Sequence, residues 1–145
     1  MKKATWIGAA LVLCTLPGIS QARDTTHYLP FAEAVAEATA AGRLDGSVKF
    51  HLAKRPAGAQ IVRSGVTTSK KTNAFNKTDE AACSWALQSA LIGLEKSAKA
   101  AGANAVVDIV SNYKHVEYKD SSKYECHAGA VMAGVALKAN FAKVK

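Results

Sequence analysis

The sequence lacks most of the features by which an enzyme or a membrane protein is recognised. After its first 20 positions it has no run of 18 apolar residues, so we expect no membrane-spanning segment downstream. It contains neither a C-x-x-C pair nor an H-E-x-x-H motif, which removes common patterns for thiol redox and zinc chemistry. Its 145 residues suffice for one small domain. These absences lead us to expect a non-enzymatic protein.

A nucleotide-binding loop is also missing. A P-loop needs two glycines that bracket four residues, followed by Lys and Ser or Thr, because its backbone N–H groups cradle phosphates. The closest stretch, SGVTTSKKT, places Gly65 before Lys70 but lacks the second glycine. Carboxylates are few, and Asp108 within AVVDIV is expected either on the solvent face of a strand or as a buried anchor. We therefore expect no ATP binding and no cofactor.

The N-terminus has the pattern of a secretory signal peptide. Two lysines follow the first Met, the apolar run TWIGAALVLCTLPGI comes next, and the small residues of SQA precede Arg23. We predict cleavage between Ala22 and Arg23. The mature chain would then be a single domain over 23–145, located in the periplasm or secreted.

Two other interpretations of the N-terminus are less favoured. A buried N-terminal helix would be broken at Pro17-Gly18. A lipoprotein cleavage before Cys14 would follow Leu13, which is larger than the small residue expected at that position. We therefore retain the cleaved signal peptide as the prediction.

The mature chain is basic. Loss of the signal removes two lysines and no acid, which leaves seventeen basic and eleven acidic residues. Export makes nucleic acid an improbable partner, whereas anionic lipid, lipopolysaccharide, peptidoglycan or an acidic protein could be met in the envelope. A solvated surface that keeps the protein soluble is the simpler interpretation of the scattered positive charge.

Two cysteines remain after the signal. In an oxidising compartment the simplest outcome for Cys83 and Cys126 is one structural disulfide. Cys83 precedes Leu87 and Leu94 at helical spacing, so it should lie on the buried side of a helix. A catalytic thiol, free thiols or an intermolecular link are the alternatives.

Periodicity predicts the order helix, strand, strand, helix, strand, strand. The long second helix is the clearest element, because Thr78 can cap its start and Gly102 can end it. This order predicts an α+β domain with an antiparallel sheet of about four strands, one long helix packed on a face, and a short N-terminal helix. The predicted ranges are 30–41, 46–53, 59–70, 79–101, 104–118 and 124–141.

The predicted last strand is apolar on both faces. Val131, Val135 and Leu137 share the face opposite Cys126. This face must be covered, either by the N-terminal helix or by a partner. We therefore expect contact with an envelope protein, or self-association, as one way of covering it.

Four histidines remain in the mature chain. His115 and His127 could approach each other across the predicted final hairpin, with Glu117 or Glu125 nearby. Imidazole and carboxylate together suit a transition metal, so a weak metal site is the alternative to a binding or sensing role. Unpaired surface histidines are the simpler interpretation.

Short motifs in the second half resemble two families. The stretch over 79–140 is similar to RcsF, the outer-membrane sensor of an envelope-stress relay, and to the small YbjQ-type domains. The shared motifs are Gly102-Ala103-Asn104-Ala105, Cys126, Ala130-Val131, Gly134 and Ala136-Leu137.

The resemblance implies a stress-sensing or interaction module in the cell envelope of a Gram-negative bacterium. In RcsF-like domains one disulfide joins the helix start to the last strand, which matches Cys83 and Cys126. The second disulfide has no counterpart, since Met132 stands where its cysteine would be. YbjQ-type domains imply oligomers and possible heavy-metal binding. Small exported relatives labelled "excinuclease ATPase subunit" gain no support from this sequence, which has no P-loop.

Overall fold

The computed structural model describes residues 23–145 and contains six strands and two α-helices. A single 3₁₀ turn separates the fourth and fifth strands within this range. The predicted signal peptide, including Ala22, lies outside the described residues. The elements are β1 (Thr25–Pro30), α1 (Phe31–Ala40), β2 (Lys49–Leu52), β3 (Gln60–Asn73), α2 (Asp79–Ala100), β4 (Ala105–Ser111), the turn Tyr113–His115, β5 (Lys123–Ala128) and β6 (Met132–Lys143).

The sheet is built around β6. On one side β6 pairs antiparallel with β3, from Gln60 opposite Lys143 to Asn73 opposite Met132. On its other side it pairs antiparallel with β4 and, near its start, with β5. β1 extends the sheet antiparallel to β5, whereas β2 lies parallel to β4. The result is one mixed sheet of six strands.

The predicted antiparallel sheet of about four strands is wrong. No strand is predicted for the segment THYLP, yet it lies in β1. Its strand partner β5 is far away in the sequence, so no local pattern indicates the pairing. The predicted strand 104–118 stops at Ser111, since Lys114 and His115 adopt positive φ angles in the 3₁₀ turn. The predicted strand 124–141 is two strands joined by a turn at 129–131. A parallel β2–β4 pair was not expected at all.

Helix α2 packs against the sheet through its apolar face. Its start is capped by the Thr78 hydroxyl, which accepts a hydrogen bond from the Ala81 N–H at 3.1 Å. Asp79 and Glu80 in the first turn complement the positive end of the helix dipole. The helix runs for 22 residues and contacts β3, β5 and β6. Small side chains allow the close approach, and the buried alanines of this face are Ala82, Ala86, Ala90 and Ala98.

The apolar face of the last strand is covered inside the molecule. Val135 and Leu137 on β6 are 2% and 1% exposed, because α2 packs across that strand. Phe31 of α1 belongs to the same core, with Val35 packed against it. The sequence left open whether the N-terminal helix or a partner covers this face, and for Val135 and Leu137 the cover is α2. Only Val131 of the predicted set stays exposed, since it lies in the turn rather than in a strand.

Neither helix in residues 23–145 combines the length and the apolar character that crossing a membrane requires.

Candidate functional site

A disulfide joins α2 to β5. Cys83 and Cys126 are fully buried, with an S–S distance of 2.09 Å and a Cα–Cα distance of 5.9 Å. The predicted bond between these two residues is thus confirmed. It ties the start of the long helix to the strand that leads into the turn at 129–131, so the position of that turn depends on it.

A charged cluster of Arg23, His27 and Asp79 lies beside the disulfide. The Arg23 guanidinium donates to both carboxylate oxygens of Asp79, at 2.7 and 2.9 Å. His27 Nε2 lies 2.8 Å from Asp79 Oδ2. The hydrogen bond from Arg23 and, to a smaller extent, the one from His27 hold the pKa of Asp79 well below its usual value. Because Arg23 also donates to the Gly129 carbonyl at 2.9 Å, the cluster fixes the turn after β5.

A groove of about 420 Å³ opens at this turn, and we call it the turn groove. It is lined by the chain from Gly129 to Gly134, which includes the turn and the start of β6. The turn itself is closed by a 2.8 Å hydrogen bond from the Gly129 N–H to the Met132 carbonyl. Side chains from four other parts of the fold complete the lining: Arg23, Asp24, Lys71, Tyr113 and His127.

The rim of the turn groove exposes large apolar side chains. Val131 is 60% exposed and Met132 is 46% exposed. Phe75 is 64% exposed and lies just after β3, where the Ala74 N–H donates to the Val131 carbonyl at 2.7 Å. Val131 and Met132 therefore give the turn groove exposed apolar surface, and Phe75 follows Ala74, whose backbone bonds to the same turn.

One lysine lines the turn groove and a second lies close to it in the chain. Lys71 lines the turn groove, and Lys77 follows Phe75 by two residues. Within residues 23–145 neither ammonium group has a carboxylate within 4.0 Å, in contrast to Arg23. The turn groove thus offers apolar contact together with uncompensated cations.

His127, the histidine of the turn groove, is held on both sides. Its Nδ1 lies 3.1 Å from Asp24 Oδ1, and its Nε2 lies 3.4 Å from Glu125 Oε2 without hydrogen-bond geometry. Its ring stacks on Tyr113 with centroids 3.4 Å apart. These contacts fix the imidazole in place and leave Nε2 as a buried nitrogen without a hydrogen-bond partner among residues 23–145.

The structure does not bring the two candidate metal ligands into one site. His115 is exposed in the 3₁₀ turn and lines a different cavity from His127. No group of three His, Cys, Asp or Glu side chains suited to a metal occurs in the described part of the chain. The other predicted site residue, Arg23, is the first described residue and belongs to the cluster with Asp79.

A second polar cluster lies where β3 and β4 each contain a bulge. Asp108 has φ 54° at a bulge in β4, and Gly65 has φ 66° at a bulge in β3. Asn140 of β6 joins them, because its Nδ2 donates to Asp108 at 2.9 Å and its Oδ1 accepts from the Gly65 N–H at 3.0 Å. Arg55 also donates to Asp108, at 2.8 Å from Nε.

The hydrogen bonds of this second cluster hold the backbone in place. Burial acts to raise the pKa of Asp108, but hydrogen bonds from Arg55 and Asn140 outweigh it and leave the pKa below its usual value. The carboxylate is thus ionised and already occupied by two donors. Asp108 is half-buried and anchors the bulges, which combines the two alternatives that the sequence left open.

No family model, curated protein or solved structure matches the chain. The resemblance to RcsF and YbjQ-type domains therefore stays a prediction. Sequence reasoning missed the roles of Phe75 and Asn140, which lie in segments without a distinctive pattern. A signal for Phe75 was available, since an aromatic residue within the polar stretch KKTNAFNK has no strand or helix to bury it.

Proposed function

We propose that the protein is an exported, non-enzymatic binding module of the cell envelope. Its ligand would be a segment of an envelope protein that carries both apolar and acidic side chains. The observation that carries this proposal is the turn groove, which is lined by the exposed side chains of Val131 and Met132 and by Lys71, whose ammonium group has no carboxylate within 4.0 Å in residues 23–145. Apolar side chains supply affinity at such a surface, whereas the cations select a partner of opposite charge.

The disulfide supports the proposed location. Such bonds form and persist in oxidising compartments, and a buried one between α2 and β5 fits a protein that folds after export. The signal peptide predicted from residues 1–22 would deliver the chain there. A domain of this size gains stability from a covalent link, because its core is small.

The lining of the turn groove supports a binding role over a catalytic one. Among the described residues that line it, none is a serine, threonine or cysteine. His127 is the residue best suited to acid–base chemistry, but it is stacked on Tyr113 and lies between two carboxylates. A pre-formed apolar surface with a charged rim is what recognition of a peptide segment requires.

A defined peptide tests the proposal. The probe is a short fluorescent peptide in which leucine and glutamate alternate, and the readout is fluorescence anisotropy. We expect Val131→Asp to weaken binding by about tenfold or more, since it places a negative charge at the apolar rim. The matched control is Val116→Asp, because Val116 is 69% exposed but does not line the turn groove.

Two results would contradict the groove assignment. One is equal loss of affinity in Val131→Asp and Val116→Asp. The other is equal binding of a peptide in which serine replaces every leucine. A peptide with lysine in place of glutamate should bind the wild-type protein least, because the rim is positive.

The weak metal site remains the alternative function. Its single support is the buried Nε2 of His127, which lacks a hydrogen-bond partner and faces Glu125. Calorimetric titration with zinc or copper tests it. Absence of heat at micromolar metal, or identical heat in His127→Ala, would reject this alternative.

A further inference from the structure

The long strand β3 has an open edge. It runs for 14 residues and pairs with β6 alone among the strands of residues 23–145. Its other edge therefore presents a row of backbone N–H and C=O groups without a strand partner. None of its residues is fully buried, although α2 contacts one of its faces. From Val66 to Asn73, beyond the bulges, β3 pairs with β6 without interruption, so the outer edge of this stretch is a regular template for a further strand.

All charged side chains of β3 are positive. β3 carries Arg63, Lys70 and Lys71 and contains no acidic residue. In the described part of the chain, none of these three has a carboxylate within 4.0 Å. Lysine on an edge strand opposes pairing with neutral or basic strands. The same charges would favour a strand that brings glutamate or aspartate to the cross-strand positions.

A second copy of the chain fits this edge poorly. Antiparallel pairing of two β3 strands about their centre would place Lys70 of one copy opposite Arg63 of the other. Like charges directly opposite each other destabilise a strand pair. The partner that the edge selects is therefore acidic and is not a second β3.

We propose that the open edge of β3 binds an extended acidic segment of another protein as a seventh strand of the sheet. Backbone hydrogen bonds would supply the affinity and the three cations the selectivity. The edge leads directly to the turn groove, since Asn73 pairs with Met132 and Ala74 bonds to Val131. The inference rests on the proposed function, because one segment of the same partner could occupy both the edge of β3 and the turn groove.

The test uses a peptide that cannot fill the turn groove. The probe is a short peptide of alternating glutamate and threonine, which has no large apolar side chain. Binding is followed by NMR on the isotope-labelled protein, with amide hydrogen exchange as the second readout. We expect increased protection of β3 amides, because new backbone bonds shield the outward-facing N–H groups.

Chemical modification of the peptide separates strand addition from simple attraction of charges. N-methylation at alternate residues removes hydrogen-bond donors and keeps the charge. We expect this analogue to lose about tenfold or more in affinity for the wild-type protein. Equal binding of the methylated and unmethylated peptides would overturn the proposal, and so would binding without added protection of β3.

Matched charge variants complete the test. Lys70→Glu with Lys71→Glu should weaken binding by about tenfold or more. Lys96→Glu with Lys145→Glu changes the net charge equally, at exposed positions outside β3, and should weaken it far less. Equal effects of the two pairs would overturn the edge assignment. The turn-groove probe carries leucine and this peptide carries no large apolar side chain, so loss of one binding signal without the other distinguishes failure of the edge from failure of the turn groove.

Discussion

Single residues far apart in the sequence hold the turn groove in place. Arg23 and His27 converge on Asp79, while Arg23 also bonds the Gly129 carbonyl. The neighbouring disulfide joins the same helix to β5. A strand of six residues at the start of the domain is thereby attached to the sheet and to the helix at once. At this scale, stability and the shape of the binding surface depend on the same side chains.

Loss of the disulfide should lower stability strongly. Cys83 and Cys126 are 43 residues apart, and closing a loop of that length in the unfolded chain corresponds to about 4 kcal/mol. We expect the double variant Cys83→Ala, Cys126→Ala to lose about that free energy of unfolding, measured by urea denaturation. Reduction of the wild-type protein should reproduce the loss. A double variant as stable as the oxidised protein would contradict the structural role.

Asp79 should make stability depend on acid pH. Its folded pKa lies below the usual 3.8, so its contribution is complete above that value and disappears as pH falls through the folded pKa. The difference in unfolding free energy between wild type and Asp79→Asn should therefore be largest near neutral pH. It should shrink below about pH 4.

The neighbouring Glu80 provides the control for this pH effect. It occupies the same helical turn, is exposed and has no ion pair within residues 23–145. We expect Glu80→Gln to change the free energy of unfolding much less than Asp79→Asn does at neutral pH. Equal losses in the two variants, or a loss in Asp79→Asn that does not shrink in acid, would refute the role given to the cluster.

At the scale of the elements, alanine substitutions at two glycines should change stability in opposite directions, because one glycine lies at a strand bulge and the other lies within a helix. Gly65 has φ 66°, where a side chain is strained, so Gly65→Ala should destabilise by about 1–2 kcal/mol. Gly93 lies within α2, and an added Cβ would meet only Lys70 Cε at 3.9 Å. Gly93→Ala should stabilise by about 0.5–1 kcal/mol. Thermal unfolding measures both, and a shift of the same sign in the two variants would contradict the assigned backbone geometry.

The elements differ in how well the sequence predicts them. Helix α2 was predicted over 79–101 and spans Asp79–Ala100, because its cap, its stop and its apolar spacing are all local. β1 was missed, because its pairing with β5 is distant in sequence. The break in the predicted last strand depends on Gly129, where a Cβ would come within 2.9 Å of the Arg23 carbonyl oxygen. Such a contact exists only after folding.

At the scale of the whole molecule, the sequence predicts the disulfide but does not predict the turn groove. Cys83 and Cys126 were the two cysteines left after the signal, so their pairing followed from the compartment. The turn groove assembles side chains from the segment before β1, from β3, from the 3₁₀ turn and from β5, and no local pattern joins them. The apolar face expected on the last strand is instead the inner face of the sheet under α2.

Delivery out of the cytosol is the step on which disulfide formation and the proposed envelope partner both depend. The most direct measurement is the intact mass of the protein recovered from the envelope of a Gram-negative host, before and after reduction. A separate sample is treated with an alkylating reagent without reduction, to detect free thiols. The account predicts a chain that begins at Arg23 and is lighter than its reduced form by two hydrogen atoms. A chain that keeps residues 1–22 and alkylates at Cys83 and Cys126 without prior reduction would contradict it.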